Sequence, residues 1–148
     1  MSRNNNLNSL LKAALKARSQ AYAPYSKFQV GAALESATGK IFTGCNVENI
    51  SYGLTICAER NAVFAAVAKG ARQFRRIVIV ADSKEPVTPC GACRQVLSEF
   101  SENIEIISFN LKSLKYKSNL CKLLPRSKAG ILDHPNPKQI NNDLKMRQ

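Results

Sequence analysis

The sequence contains one histidine in 148 residues, His134, directly before Pro135 near the C-terminus. A closed structural zinc site that needs a histidine to complete it therefore has almost nothing to draw on. Aromatic residues make up only 7% of the chain, against 45% hydrophobic residues in all, a balance that suits a soluble α/β protein. No apolar run approaches the roughly 20 residues needed to span a bilayer. The opening stretch, MSRNNNLNSL, has no apolar core of the kind a signal peptide carries. With neither feature the expected compartment is the cytoplasm, where thiols stay reduced. Five cysteines, an odd number in that setting, read as metal ligands or free thiols rather than a disulfide framework.

What is present is a chain of one-domain length, with no internal repeat and a formal charge of +12. The basic excess is spread along the chain. It can attract nucleic acid without sequence preference, but it equally describes a solvated surface. The segment 111–122 is notably basic, with Lys112, Lys115, Lys117 and Lys122, and reads as surface drift or as a patch for something anionic.

Periodicity gives the organisation. Leu7, Leu10, Leu11, Ala14 and Leu15 fall at helical spacing and predict a helix over 7–22, capped by Asn6 or Asn8 and stopped by Pro24. Strand-like runs at 28–35 and 40–45, joined through Gly39, predict a hairpin. Residues 57–69 predict an amphipathic helix closed by Gly70. The near-continuous apolar run 76–81 predicts a strand buried on both faces. A helix over 91–100, a strand over 104–109 and a short helix over 119–124, stopped by Pro125, complete the pattern. The expected fold is a three-layer α/β sandwich on a mixed five-stranded sheet. Its domain would span 1–132, and 133–148 would form a loose tail.

The chemistry is concentrated in two short motifs, Cys57-Ala58-Glu59 and Pro89-Cys90-Gly91-Ala92-Cys93. Three thiolates fill three corners of a tetrahedral zinc site. A fourth position left open is the mark of a catalytic ion, which acidifies a bound water. Glu59, two residues after the first ligand, can manage that water's proton without binding the metal. Both motifs fall at predicted helix starts, where free backbone N–H groups and the helix dipole stabilise anionic sulfur. Arg60 and Arg94 each follow a ligand closely, and a guanidinium bonded to sulfur would temper the site's negative charge. Taken singly these residues have plainer readings: a Cys-x-x-Cys redox pair, a favourable acid in a first helical turn, surface salt bridges. Cys45 and Cys121 read as small apolar residues.

Together with AYAPYSKFQVGAAL (21–34), IFTGCNVEN (41–49), TICAERNAVF (55–64) and PCGACRQVLSEF (89–100), these motifs make the chain resemble the small, homotetrameric, three-cysteine cytidine deaminases. The similarity runs over roughly residues 7–127. It implies one Zn²⁺ per subunit and cytidine and 2′-deoxycytidine as substrates. It further implies that Phe28 flanks the pyrimidine, that Asn46 and Glu48 hydrogen-bond the ribose hydroxyls, and that Ala58 offers its backbone to the base. Tyr52 would help complete a neighbouring subunit's site. One position departs from the pattern. Three places after Leu123-Leu124-Pro125 the family usually carries an aromatic that stacks on the base in an adjacent site; here the residue is Lys128.

Rival readings are a polynucleotide cytosine deaminase, an antibiotic-type nucleoside deaminase, and a zinc-stabilised nucleic-acid-binding module. The first commonly uses histidine as its first ligand and wants aromatics interleaved with basic residues, which are sparse here. The second would not be expected to keep the full Asn-Val-Glu-Asn stretch. The third has no need of Glu59. Membrane association is not expected.

Overall fold

The structure is a computed structural model and describes residues 3–127, with side chains from residue 6 onward. The expected tail at 133–148, His134 and Lys128 all lie outside the described residues.

Helix α1 (Arg3–Arg18) leads into strands β1 (Val30–Ser36) and β2 (Ile41–Cys45). Helix α2 (Ala58–Ala68), strand β3 (Phe74–Ala81), helix α3 (Gly91–Phe100), strands β4 (Glu105–Asn110) and β5 (Lys115–Asn119), and helix α4 (Leu120–Leu123) follow. The strands form one sheet in the order β2-β1-β3-β4-β5. Only β3 and β4 pair in parallel; the other neighbours are antiparallel. The mixed five-stranded sheet matches the expectation.

Alternation along the strands divides the interior. Ala32, Leu34, Ile77, Ile79 and Ile106 face α2 and α3, in a core with Ala58, Ala62, Val63, Leu97 and Leu120. Ala33, Val78, Val80, Ile107 and Phe109 face the other way and pack with Leu10 and Ala14 of α1. Burial on both sides explains why 76–81 reads as an unbroken apolar run.

Helix α1 begins at Arg3, so Asn6 and Asn8 lie inside it instead of capping a start at 7, and β3 begins at Phe74 rather than 76. Two further boundaries and one strand differ for local reasons. Helix α1 ends at Arg18 rather than 22, because Tyr22 is drawn into a bridge with Val47. Its N–H donates to the Asn46 carbonyl at 3.0 Å and its carbonyl accepts from the Glu48 N–H at 2.8 Å. Strand β1 begins at Val30 rather than 28, since the backbone at Phe28 and Val30 is held by the Asn46 side chain. Strand β5 has no counterpart in the apolar pattern. Its residues Lys115, Tyr116 and Lys117 are exposed, as suits an edge strand that lysine protects from further pairing.

Strand order also sets the place of the site. Strand β1 is antiparallel to both β2 and β3, so β2 and β3 point the same way. The chain leaving each of their C-terminal ends goes on to a helix, α2 and α3 respectively. Both helix starts therefore meet at one edge of the sheet, the position where open α/β sheets place ligands.

Candidate active site

Cys57 is the N-cap of α2 and Cys90 the N-cap of α3, both with extended backbone. Cys93 lies one turn into α3 and is buried. The three Sγ atoms lie within 4.8 Å of one another. Cys57 Sγ is 3.9 Å from Cys90 Sγ, and Cys90 Sγ is 3.5 Å from Cys93 Sγ. Thiolates about 2.3 Å from one tetrahedral ion stand roughly 3.8 Å apart, so the observed spacings bracket the value a zinc ion requires.

The sulfurs differ in their hold on protons. The Cys57 thiol is pushed down to about 5, first by a hydrogen bond from Cys93, then by Arg60 and by Cys90. Cys93 is pushed up by the same bond to Cys57 and by burial. A cation bound by all three sulfurs would displace the remaining protons. Arg60 supports that polarity: its Nη2 donates to Cys57 Sγ at 3.6 Å and to the Thr55 carbonyl at 3.2 Å.

Glu59 occupies the first turn of α2 and is 5% exposed. Burial pushes its carboxyl up to about 7, and the Cys57 thiolate adds to the rise against the opposing pull of its own backbone N–H and Arg60. A carboxyl held near neutrality can both accept and return a proton at working pH.

The mouth of the site is a cavity of about 250 Å³, bounded by Cys57, Ala58, Glu59 and Cys90 on one side and by Phe28, Asn46, Glu48 and Tyr52 on the other. All five expected substrate-binding residues thus gather around the cysteine cluster. Asn46 is more committed than its sequence position suggests. Its Oδ1 accepts from the Val30 N–H and its Nδ2 donates to the Phe28 carbonyl, both at 2.8 Å. One N–H and one lone pair remain for a ligand. Tyr52 lines this chain's own cavity, with its hydroxyl 3.4 Å from Glu48 Oε1.

Arg94 differs from the expectation of a sulfur contact. Its Nε donates to the Pro89 carbonyl at 2.7 Å, Nη1 to the Leu123 carbonyl at 3.0 Å and Nη2 to Thr88 Oγ1 at 3.2 Å. It braces the loop that carries Cys90 against α4, and it acts on backbone rather than on sulfur. Two residues were not anticipated. Asn61 donates to the Cys45 carbonyl at 2.8 Å, tying α2 to the end of β2, and Ser26 bonds to Glu48. Neither is distinguishable in sequence from an ordinary surface polar residue.

A thiolate cluster sized for zinc, a buried carboxyl beside it and a cavity above both are the parts of a metal-dependent hydrolase that keeps one ligand position for water. The profile described as "Cytidine and deoxycytidylate deaminase zinc-binding region" matches residues 4–109. A cytidine deaminase of Sporosarcina psychrophila is 50% identical over 117 residues, covering 78% of this chain and 86% of that one. A probable cytidine deaminase of Dictyostelium discoideum is 48% identical over 120 residues, 80% and 81% of the two chains. Among solved structures, the cytidine deaminase of Burkholderia pseudomallei superposes with a TM-score of 0.78 at 46% identity, covering 84% of this chain and 98% of that one. The chain belongs to the cytidine and deoxycytidylate deaminase zinc-binding family.

Proposed function

We propose that this chain hydrolyses cytidine and 2′-deoxycytidine to uridine and 2′-deoxyuridine, releasing ammonia. The observation that carries this reading is Glu59, buried beside the three sulfurs and opening on the same cavity as Asn46 and Glu48.

Cys57, Cys90 and Cys93 would hold the zinc, which when bound acidifies water and supplies a nucleophile near neutral pH. Phe28 walls the pyrimidine, and the Ala58 backbone meets its polar edge. Asn46 and Glu48 hold the sugar, which would turn C4 of the base towards Glu59 and the sulfur cluster. Glu59 takes a proton from the attacking water and delivers it to N3. It then passes the second proton to the amine, the C4–N bond breaks, and ammonia leaves. One water is consumed, and O replaces NH₂ at C4. Burial suits Glu59 to this work, because a carboxyl near neutrality changes state at little cost in either direction. Arg60 offsets part of the negative charge that three thiolates leave around a dication.

A role in nucleoside salvage in the cytoplasm fits this activity. Within the described residues no helix is long and apolar enough to cross a membrane. A homotetramer fits the rim of the site, where Ile50, Tyr52 and Leu54 are 85%, 60% and 66% exposed. Apolar side chains gathered beside a site suit a protein contact. Light scattering on a sizing column reads this part separately.

The polynucleotide reading is disfavoured by Cys57 as first ligand and by a cavity of only about 250 Å³. The deciding experiment follows the ultraviolet absorbance of cytidine and deoxycytidine with zinc-loaded protein, and with protein treated with chelator. Loss of substrate that stops on metal removal and returns with zinc supports the proposal. Tight RNA binding without any ammonia release would overturn it.

A further inference from the structure

Glu48 is 4% exposed, and four donors meet its carboxylate. The backbone N–H groups of Tyr25 and Ser26 donate to Oε2 at 2.9 and 3.2 Å. The Ser26 hydroxyl donates to Oε1, and the Tyr52 hydroxyl reaches the same oxygen at 3.4 Å. A carboxylate has about four acceptor positions, so the group is already full. Any sugar hydroxyl that bonds to Glu48 must displace a donor. The Tyr52 contact is the longest of the four.

Ser26 does more than bond to Glu48. Its Oγ also accepts the Phe28 N–H at 3.0 Å. Between the two, Lys27 adopts φ +59°, a left-handed conformation that non-glycine residues rarely take. The Lys27 N–H to Ala23 carbonyl bond, at 3.1 Å, closes the same turn. One hydroxyl thus couples the carboxylate expected on the sugar to the backbone of the aromatic expected on the base. It holds both in a turn that the chain would not otherwise favour.

We infer that Ser26 is a positioning residue for the sugar: it fixes the Glu48 carboxylate in one orientation before substrate arrives and ties it to the backbone of Phe28. The inference rests on the reading that Glu48 accepts a sugar hydroxyl. Ser26 contributes preorganisation, since a carboxylate already oriented loses less freedom when substrate arrives.

The test is steady-state kinetics on zinc-loaded wild type, Ser26→Ala, Ser26→Thr and Glu48→Gln, each with cytidine and with 2′,3′-dideoxycytidine, which lacks both ring hydroxyls. Ser26→Ala should raise KM for cytidine about tenfold, the scale of one hydrogen bond to a charged group, while kcat changes by less. The increase should shrink to about twofold or less with dideoxycytidine. Ser26→Thr keeps the hydroxyl and should restore most of the loss. If Glu48→Gln leaves KM for cytidine unaltered, the sugar-binding reading itself fails. If Glu48→Gln raises KM but Ser26→Ala does not, or raises it equally for both nucleosides, the positioning role alone is overturned.

Discussion

The guanidinium of Arg60 reaches back along the first turn of α2 to Cys57 Sγ, 3.6 Å from Nη2, while the same nitrogen holds the Thr55 carbonyl at 3.2 Å. One side chain therefore fixes both a ligand sulfur and the backbone entering the helix. Arg60→Gln keeps a donor but loses the charge. It is expected to lower kcat by roughly tenfold, the scale of a hydrogen bond between charged groups. Activity assays paired with zinc content by atomic absorption separate slower chemistry from a lost ion. A variant with full activity would show that the contact is structural only.

Glu59→Gln conserves shape in a buried site and removes the titrating oxygen. The expected loss in kcat is on the order of 10²- to 10⁴-fold, the usual worth of a general acid–base. Zinc content should stay at one ion per chain, because Glu59 stands outside the sulfur cluster. A variant that kept wild-type kcat would remove Glu59 from the mechanism.

Gly44 of β2 lies against the first turns of α2. A Cβ there would sit 2.4 Å from the Ala58 carbonyl oxygen and 2.4 Å from the Ala62 nitrogen. Both are backbone atoms that cannot step aside alone, so Gly44→Ala must push α2 off the sheet. The expected cost is about 1–3 kcal/mol in urea unfolding. Gly53→Ala, where an added Cβ meets nothing within 4 Å, serves as the control and should unfold close to wild type. Equal midpoints for the two variants would contradict the close approach.

Acid should weaken the turn at Tyr25–Ser26. The Glu48 carboxyl is held below its ordinary value of 4.5, first by the Ser26 hydroxyl, then by the N–H groups of Tyr25 and Ser26 and by the Tyr52 hydroxyl. The folded form therefore binds fewer protons than the unfolded chain between the lowered value and 4.5. Its stabilisation is complete above that window and is lost as pH falls through it. Thermal melts of wild type should lose stability below about pH 4.5, and Glu48→Gln should flatten that limb. Identical acid limbs would assign the effect to another carboxyl.

Lys128 stands where the family usually carries an aromatic, beyond the described residues. A lysine stem can cover a base but cannot stack on it as a ring does. Lys128→Phe should lower KM for cytidine, and an unchanged or higher value in initial-rate assays would count against an adjacent-subunit wall at this position.

How much was legible beforehand varied with the kind of interaction. That Cys57, Cys90, Cys93 and Glu59 gather at one place was readable because thiolate spacing and a carboxylate two residues on are short-range patterns that keep their meaning in one dimension. Buried strands and amphipathic helices were readable for a similar reason, since apolar period follows local geometry. Strand β5 was not, because an exposed edge strand carries no apolar alternation and exists only by pairing with β4. The end of α1 was misplaced because the bridge between Tyr22 and Val47 spans 25 residues of chain, and no local preference reports it. Arg94 looked like a sulfur partner by position alone, whereas α3 turns its donors towards Pro89, Thr88 and Leu123.

By itself, then, the sequence determined the chemical groups: three cysteines at ligand spacing, one carboxyl two residues after the first, and the segments that carry them, all set by residue type and near spacing. Only the tertiary structure decided the geometry that makes this chemistry selective. Strand order brings two distant helix starts to one edge, Gly44 sets how closely α2 approaches the sheet, and Ser26 commits Glu48 to a single orientation. Those outcomes depend on contacts between residues far apart in the chain, whose worth is fixed by packing and by which donors remain unpaired. Neither quantity is a property of any local stretch of sequence.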